Sequence, residues 1–277
     1  MTLQGAVLGS TGFLGSRLLD CYPEELTAGP SFRIHDLDEL SHLEALLHDF
    51  LDRVPVQTIV NCVGLREGTD AELLLVNGDI PRVLANVAEA RGLRMIHIGS
   101  AAELLRVKSG VDPEFARLLL RYSRSKKVGA EAVLGCATAV VGRIHNLHGL
   151  PHQASSSLHT LCRALKVLTG SSVEQSTREI VDVTRDYIHW EAALADLHQL
   201  LFSRTTGVVE IRSGVRISLR AIAEALPREY RELLIPRLVP ADILTMPSES
   251  GDPPKVHSSY EATAMTLAEE VVTCAFS

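Results

Sequence analysis

Short apolar runs rich in β-branched residues alternate with longer amphipathic stretches through the first half of the chain, and no other feature restricts the fold as much. Strand-like runs at 5–8, 58–63, 95–98 and 137–141 are separated by helix-like stretches at 12–22, 71–91 and 114–134. Parallel strands need a crossover of a dozen or more residues between them, usually a helix, and this spacing supplies one each time. The runs are nearly continuous in hydrophobicity, as strands buried on both faces should be. The predicted fold class is therefore α/β, a Rossmann-type doubly wound parallel sheet with helices on both faces. From 148 to 181 the rhythm loosens into Ser-rich polar sequence with one helix at 157–168, which marks a second, smaller region. A strand at 207–211, a helix at 218–226, a Pro-punctuated stretch and a last helix near 262–273 complete the pattern.

Composition limits the function. With 277 residues and 46% apolar content, the chain can bury a large core. Its net charge of −7 comes with no long Lys or Arg run, so the electrostatic footprint of a nucleic-acid partner is missing. Five scattered cysteines without a C-x-x-C pair argue against a disulfide framework and against a zinc site, so no metal is expected. No basic leader precedes the first strand and no run approaches eighteen apolar residues. The expected setting is the cytoplasm, without membrane contact.

Gly9-Ser10-Thr11-Gly12-Phe13-Leu14-Gly15 follows the first strand and opens the first helix. There Gly9 permits a tight turn, Gly12 lets backbone amides approach a pyrophosphate, and Gly15 allows close helix–strand packing. The helix N-terminus then faces the phosphate charge. Dinucleotide sites also use a carboxylate about twenty residues on for the adenosine ribose. Glu24, Glu25 and Asp36 are the candidates; Asp36, with Leu37 beside it, stands at a strand end, and Arg33 nearby suits a 2′-phosphate, while the other reading makes Asp36 a helix N-cap. The cofactor is thus NAD or NADP.

Ser100 ends the strand at 95–98 through Gly99, and Tyr122 and Lys126 lie four residues apart in a helical stretch, which puts them on one face. A phenol is a weak acid–base catalyst at neutral pH, but a neighbouring ammonium favours its phenolate. Tyr122 is the expected proton donor to a carbonyl oxygen, Ser100 its hydrogen-bonding partner, and Lys126 the cation that also holds the nicotinamide ribose.

The ordered motifs GSTGFLG, Asn61-Cys62-Val63-Gly64, Asn77, GSAAE around Ser100, YSRSK, Arg143-Ile144-His145-Asn146 and Arg185-Asp186-Tyr187-Ile188-His189 resemble the extended short-chain dehydrogenase/reductases that act on nucleotide sugars. The resemblance runs over about residues 5–225. It implies that Thr11, Gly12, Phe13 and Leu14 line the pyrophosphate turn, and that Cys62, Val63 and Gly64 lie along the cofactor. It also implies that Arg66 reaches the cofactor phosphates, that Asn77 sits near the nicotinamide, and that His145 touches it through backbone. Asn146 and Arg185 are implied to hold the substrate's diphosphate. The residue-level alternatives are a solvated Arg66, an Asn77 that satisfies backbone, packed His145 and His148, and an Arg185 ion-paired with Asp182 or Asp186. In the family the RDYIH segment returns to the main domain, so residues 1–147 and 181–212 are expected to form the dinucleotide-binding domain. Residues 148–180 and 213–277 then form an interleaved C-terminal substrate-binding region.

Nucleotide-sugar dehydratases of this family carry an Asp-Glu pair after the catalytic Ser or Thr, where this chain has Ala101 and Ala102. Dehydration is disfavoured. Glu103, one residue on, reads as a surface or ion-paired residue. Other departures are Leu104-Leu105, Arg121, Trp190 and a short C-terminal region. The expected activity is reduction of the 4-keto group of a nucleotide-linked 4-keto-6-deoxyhexose. The alternatives are an NAD-dependent 4-epimerase and, from another class, a dinucleotide-binding regulatory subunit without turnover. Apolar stripes on the helices at 71–91 and 114–134 suggest a homodimer, a buried helix being the other reading.

Overall fold

The computed structural model describes residues 3–33, 40–107, 113–149, 157–170, 180–240, 244–245 and 262–276. In chain order the first elements are β1 (Leu3–Leu8), α1 (Phe13–Cys21), β2 (Leu26–Ala28), α2 (Leu40–Arg53) and β3 (Val56–Asn61). Then come α3 (Asp70–Leu74), a π-helical turn (Leu75–Asp79), α4 (Ile80–Ala90), β4 (Arg94–Ser100), a 3-10 turn (Ala101–Leu104), β5 (Arg106–Val107), α5 (Pro113–Val133) and β6 (Ala139–Ile144). The remainder is β7 (Asn146–His148), α6 (Ser157–Leu168), β8 (Ile180–Asp182), β9 (Thr184–His189), α7 (Trp190–Phe202), β10 (Gly207–Ile211), β11 (Arg216–Ser218), α8 (Leu219–Glu224), α9 (Arg228–Leu234), β12 (Leu238–Pro240), β13 (Leu244–Thr245) and α10 (Ala264–Phe276).

The chain divides into two compact units. The first comprises Met1–Leu105, Asp112–Ile144 and Leu194–Glu210; the second comprises Arg106–Val111, His145–Ala193 and Ile211–Ser277. The first unit is built on a six-stranded sheet of order β10-β6-β4-β3-β1-β2. From β2 to β6 every neighbouring pair is parallel. This is the α/β architecture that the alternating pattern requires. The order reverses direction between β1 and β3, which makes their C-terminal ends the topological switch point where such sheets bind ligands. Sheet residues Leu8, Ile59, Met95 and Val141 pack with Leu43 and Leu47 of α2, Leu84 and Val87 of α4, and Ala130 and Val133 of α5. The apolar stripe of α4 is thus consumed by its own unit, while Leu74 on α3 stays exposed.

Two segments differ from the sequence expectation. The helix expected at 71–91 is interrupted, because the five residues Leu75–Asp79 widen into a π turn between α3 and α4. Such turns are rare and often mark functional positions. The RDYIH strand, β9, pairs with β7 and β11 in a three-stranded sheet of the second unit, and the segment that rejoins the first unit is Leu194–Glu210. The core of the second unit gathers Leu161 and Leu165 of α6, Ile222 of α8, Leu234 of α9, Leu267 and Val271 of α10, and the fully buried ring of Tyr187. Among the described residues no helix is long and apolar enough to cross a membrane.

Backbone contact fixes α5 against the π turn. A Cβ on Gly129 would stand 1.9 Å from the carbonyl oxygen of Asn77, so no side chain fits there. Gly129→Ala should therefore lower the free energy of unfolding by about 3 kcal/mol or more, at the upper end of overpacking costs, as read by urea denaturation.

Candidate active site

The glycine turn has the geometry its spacing predicts. Gly9 adopts φ +79°, a left-handed conformation that favours glycine. A Cβ there would lie 2.8 Å from backbone atoms of Cys62 and Val63, and one on Gly15 would lie 2.2 Å from the Gly9 carbonyl oxygen. The ends of β1 and β3 thus meet at the switch point at backbone distance. Gly12 is the N-cap of α1, with no side-chain cap and no acidic residue in the first turn. The exposed Thr11, Gly12 and Phe13 follow, with Leu14 half-buried. Asp36 and Leu37 lie outside the described residues.

A polar pair orders the β3 end. The Asn61 amide donates to Nδ1 of the buried His97, 2.9 Å away, while its oxygen accepts from the Val63 N–H at 2.9 Å. That places the His97 proton on Nε2, and burial together with the Lys126 charge holds its pKa well below the usual histidine value. His97 is therefore a neutral strut for the Cys62–Val63 turn. Burial likewise pushes the Cys62 thiol up to about 12, against the field of Lys126. Arg66 is exposed, yet its charge reaches the Tyr122 phenol.

Asn77 turns out to serve the backbone. Its side-chain oxygen accepts from the Leu65 N–H at 2.9 Å, and its amide donates to the Leu65 carbonyl at 2.6 Å and to the Ser125 hydroxyl at 3.0 Å. The π turn presents this fully buried side chain between the Gly64–Leu65 loop and α5.

The structure places Ser100 in a hydrogen bond with Tyr122, and Lys126 follows on the same helix. Ser100 caps the 3-10 turn: its hydroxyl accepts from the Ala102 N–H at 3.2 Å, while Glu103 Oε1 accepts from the Ser100 N–H at 2.6 Å. The hydroxyl proton is left to point at Tyr122. Burial raises the Tyr122 pKa, the Ser100 hydroxyl and Arg66 pull it down, and Glu103 pushes it up again. The net direction is upward, so the phenol keeps its proton at neutral pH. Besides the Lys126 ammonium that the sequence places on the same helix face, the structure brings the Arg66 charge to bear on the phenol. Lys126 is buried, donates to the Ile98 carbonyl at 2.7 Å, and is lowered to about 8 by burial, against the opposing fields of Glu103 and Cys62.

Glu103 is the residue the sequence reading undervalued. It is ion-paired as one reading allowed, but it is buried, and its second oxygen meets the Arg143 Nε at 3.0 Å. Arg143 in turn reaches Glu210 at 2.6 Å. Gly99 accommodates this carboxylate, since a Cβ there would lie 2.8 Å from Glu103 Oε1. A signal was present: Ser100-Ala101-Ala102-Glu103 has the S-x-x-E spacing of a capping box.

In the second unit, the backbone N–H of the buried His145 donates to the Ile211 carbonyl at 3.1 Å. Asn146 donates from its amide to the Asp186 carbonyl at 3.2 Å. The Asp186 carboxylate accepts from the N–H and hydroxyl of Ser213 and from the Gly214 N–H, shaping the turn before β11. Asp182 is engaged by Arg220. Among the described residues, then, Arg185 pairs with neither aspartate, and burial lowers its pKa.

No protein family model matches the chain. Comparison with solved structures is more informative. The dTDP-4-dehydrorhamnose reductase of Bacillus anthracis, solved with NADP, aligns with a TM-score of 0.60 at 15% identity over 89% of this chain and 88% of its own. The chain has the fold of that reductase. RMD of Pseudomonas aeruginosa, complexed with NADPH, gives 0.63 at 18% identity over 99% and 98% of the two chains. MoeE5 in complex with UDP-glucose and NAD gives 0.67 at 19% identity over 97% of each. In sequence, a dTDP-4-keto-6-deoxy-D-glucose reductase of Streptomyces niveus is 29% identical over 141 residues. That match covers 48% of this chain and 48% of the relative, so the chain is matched over about half the relative's length.

The buried Glu103–Arg143 pair yields a prediction. Glu103→Ala leaves the Ser100 N–H unsatisfied and removes one partner of a buried cation, so it should cost about 3 kcal/mol of stability in urea denaturation.

Proposed function

We propose that this chain is a nicotinamide-dependent nucleotide-sugar ketoreductase that reduces the 4-keto group of an NDP-4-keto-6-deoxyhexose, with Tyr122 as proton donor. One observation carries the reading: a protonated phenol held against the Ser100 hydroxyl, with a buried ammonium four residues on. The partial likeness to a dTDP-4-keto-6-deoxy-D-glucose reductase supports it.

The residues present fit a dinucleotide. The first-turn amides of α1 are capped by Gly12 alone, and the approach of Gly9 to Cys62 and Val63 leaves backbone at the switch point. Gly9, Thr11, Gly12, Phe13 and Leu14 would hold the pyrophosphate, Cys62, Val63 and Gly64 the flank of the cofactor, Arg66 a phosphate, and Lys126 the ribose hydroxyls. Either NAD or NADP in reduced form would supply the hydride.

Tyr122, protonated at neutral pH, delivers a proton to the substrate oxygen, and the Ser100 hydroxyl and Arg66, which pull its pKa down against burial, favour that transfer. Ser100 orients that oxygen, its own acceptor side being occupied by the Ala102 N–H. Lys126 provides the positive charge that stabilises the tyrosinate left behind. Ala101 and Ala102 offer no further acid or base, so water elimination has no catalyst there. In the second unit Arg185 and Asn146 are assigned the substrate diphosphate, a group that the guanidinium fork matches. Homodimer formation through the α3 and α5 surfaces, where Leu74 is 43% exposed, and a cytoplasmic location belong to the same proposal.

Mixing the purified chain with NADH or NADPH and dTDP-4-keto-6-deoxy-D-glucose should consume the reduced cofactor. Retained NAD with epimerised sugar and no net absorbance change would instead indicate the 4-epimerase. Tyr122→Phe should lower turnover by about 10²- to 10⁴-fold while dinucleotide binding, followed by fluorescence, changes little. The ammonium of Lys126 is present below about pH 8 and lost above it, because its pKa is lowered. The reductive kcat/KM of the free enzyme should accordingly fall as pH rises through about 8; a profile flat to pH 10 would contradict this role.

A further inference from the structure

Helices α6 and α10 of the second unit set two thiols against each other. The Cys162 thiol donates toward Cys274 with the sulfurs 2.6 Å apart. His159, one turn before Cys162, completes a cluster whose three ligating atoms lie within 4.8 Å of one another. A disulfide bond is about 2.05 Å long, whereas two thiolates on one tetrahedral zinc, each about 2.3 Å from the metal, stand roughly 3.8 Å apart. The observed separation is nearer the covalent bond. We infer that Cys162 and Cys274 form a redox modification site, closing to an intramolecular disulfide when a peroxide reaches the chain.

Access and chemistry assign the order of events. Cys274 is partly exposed, whereas Cys162 is 1% exposed, so the oxidant meets Cys274 first. Cys274 gives its proton to His159, and the thiolate attacks one peroxide oxygen. An S–O bond forms, the O–O bond breaks, and the departing hydroxide takes the proton from His159 and leaves as water. The Cys162 sulfur then attacks the Cys274 sulfur; the S–O bond breaks and a second water leaves with the Cys162 proton. In sum, two thiols and one hydrogen peroxide give one disulfide and two waters. Burial and its neighbour push Cys162 up to about 12, in keeping with the thiol that reacts second rather than with the peroxide.

The bond would join residues 112 apart in sequence, a long loop whose closure restricts the unfolded chain. It would also fasten α10, whose Glu270 accepts from His148 Nδ1 and from the Gly149 N–H, each at 2.9 Å. The turn after β7 thus hangs on the helix that the disulfide secures.

The test uses the full chain, reduced, freed of reductant and treated with stoichiometric hydrogen peroxide. Non-reducing digestion and mass spectrometry should find one peptide pair linked through Cys162 and Cys274. The thermal midpoint should rise by about 5 °C or more and return on reduction with dithiothreitol. Cys274→Ser, a change at a partly exposed position, should abolish both effects while leaving the reduced midpoint nearly unchanged. Unlinked thiols, with Cys274 carried on to sulfinic acid, would overturn the inference. So would one zinc ion bound per chain that shields both cysteines from iodoacetamide, since that would assign the cluster to a metal.

Discussion

Helix α5 can bring Tyr122, Ser125 and Lys126 to the end of β4 because Gly129 lets its backbone touch the π turn at Asn77. The approach is limited by the van der Waals surface of a carbonyl oxygen, and a single methyl group there would move the helix outward. From that contact the other distances follow. Ser125 meets the Asn77 amide, Lys126 reaches the Ile98 carbonyl, and the Tyr122 ring arrives at the Ser100 hydroxyl. The widened turn also carries the side chain that closes the Gly64–Leu65 loop, so one backbone contact organises two strand ends.

Charge is arranged around this contact as a chain of alternating sign: Lys126, Glu103, Arg143 and Glu210. Burial alone would discharge both Lys126 and Glu103, since it lowers the one and raises the other. Each offsets part of that cost for the other, and Arg143 holds Glu103 in a hydrogen-bonded pair. The consequence for the proposed chemistry is division of labour. Glu103 fixes Ser100 by its backbone and raises the pKa of the phenol, whereas Arg66 and the Ser100 hydroxyl lower it. A neutral His97 beside Lys126 adds shape without adding charge.

Much of this was legible beforehand. The strand–helix alternation predicts the parallel sheet, the glycine spacing predicts the turn at Gly9, and the i, i+4 spacing puts Tyr122 and Lys126 on one face, because these depend on local periodicity and steric freedom. The Ser100-x-x-Glu103 spacing also carried a capping box, but its burial depended on Arg143 arriving from β6, forty residues later. The π turn could not be read, since its cause is a contact between Asn77 and a glycine more than fifty residues away. Nor could the placement of β9, whose partners β7 and β11 are supplied only on folding.

The sequence by itself determined the architecture of the first unit and the identity of the residues at its switch point, because hydrophobic period and glycine freedom act over a few residues. Only the tertiary structure decided which charges face which. It brought the Arg66 charge to the phenol, Asn77 to the backbone of Leu65, and Cys274 to Cys162 across 112 residues. Burial and pairing set these outcomes, and both are properties of neighbours that the chain acquires only on folding.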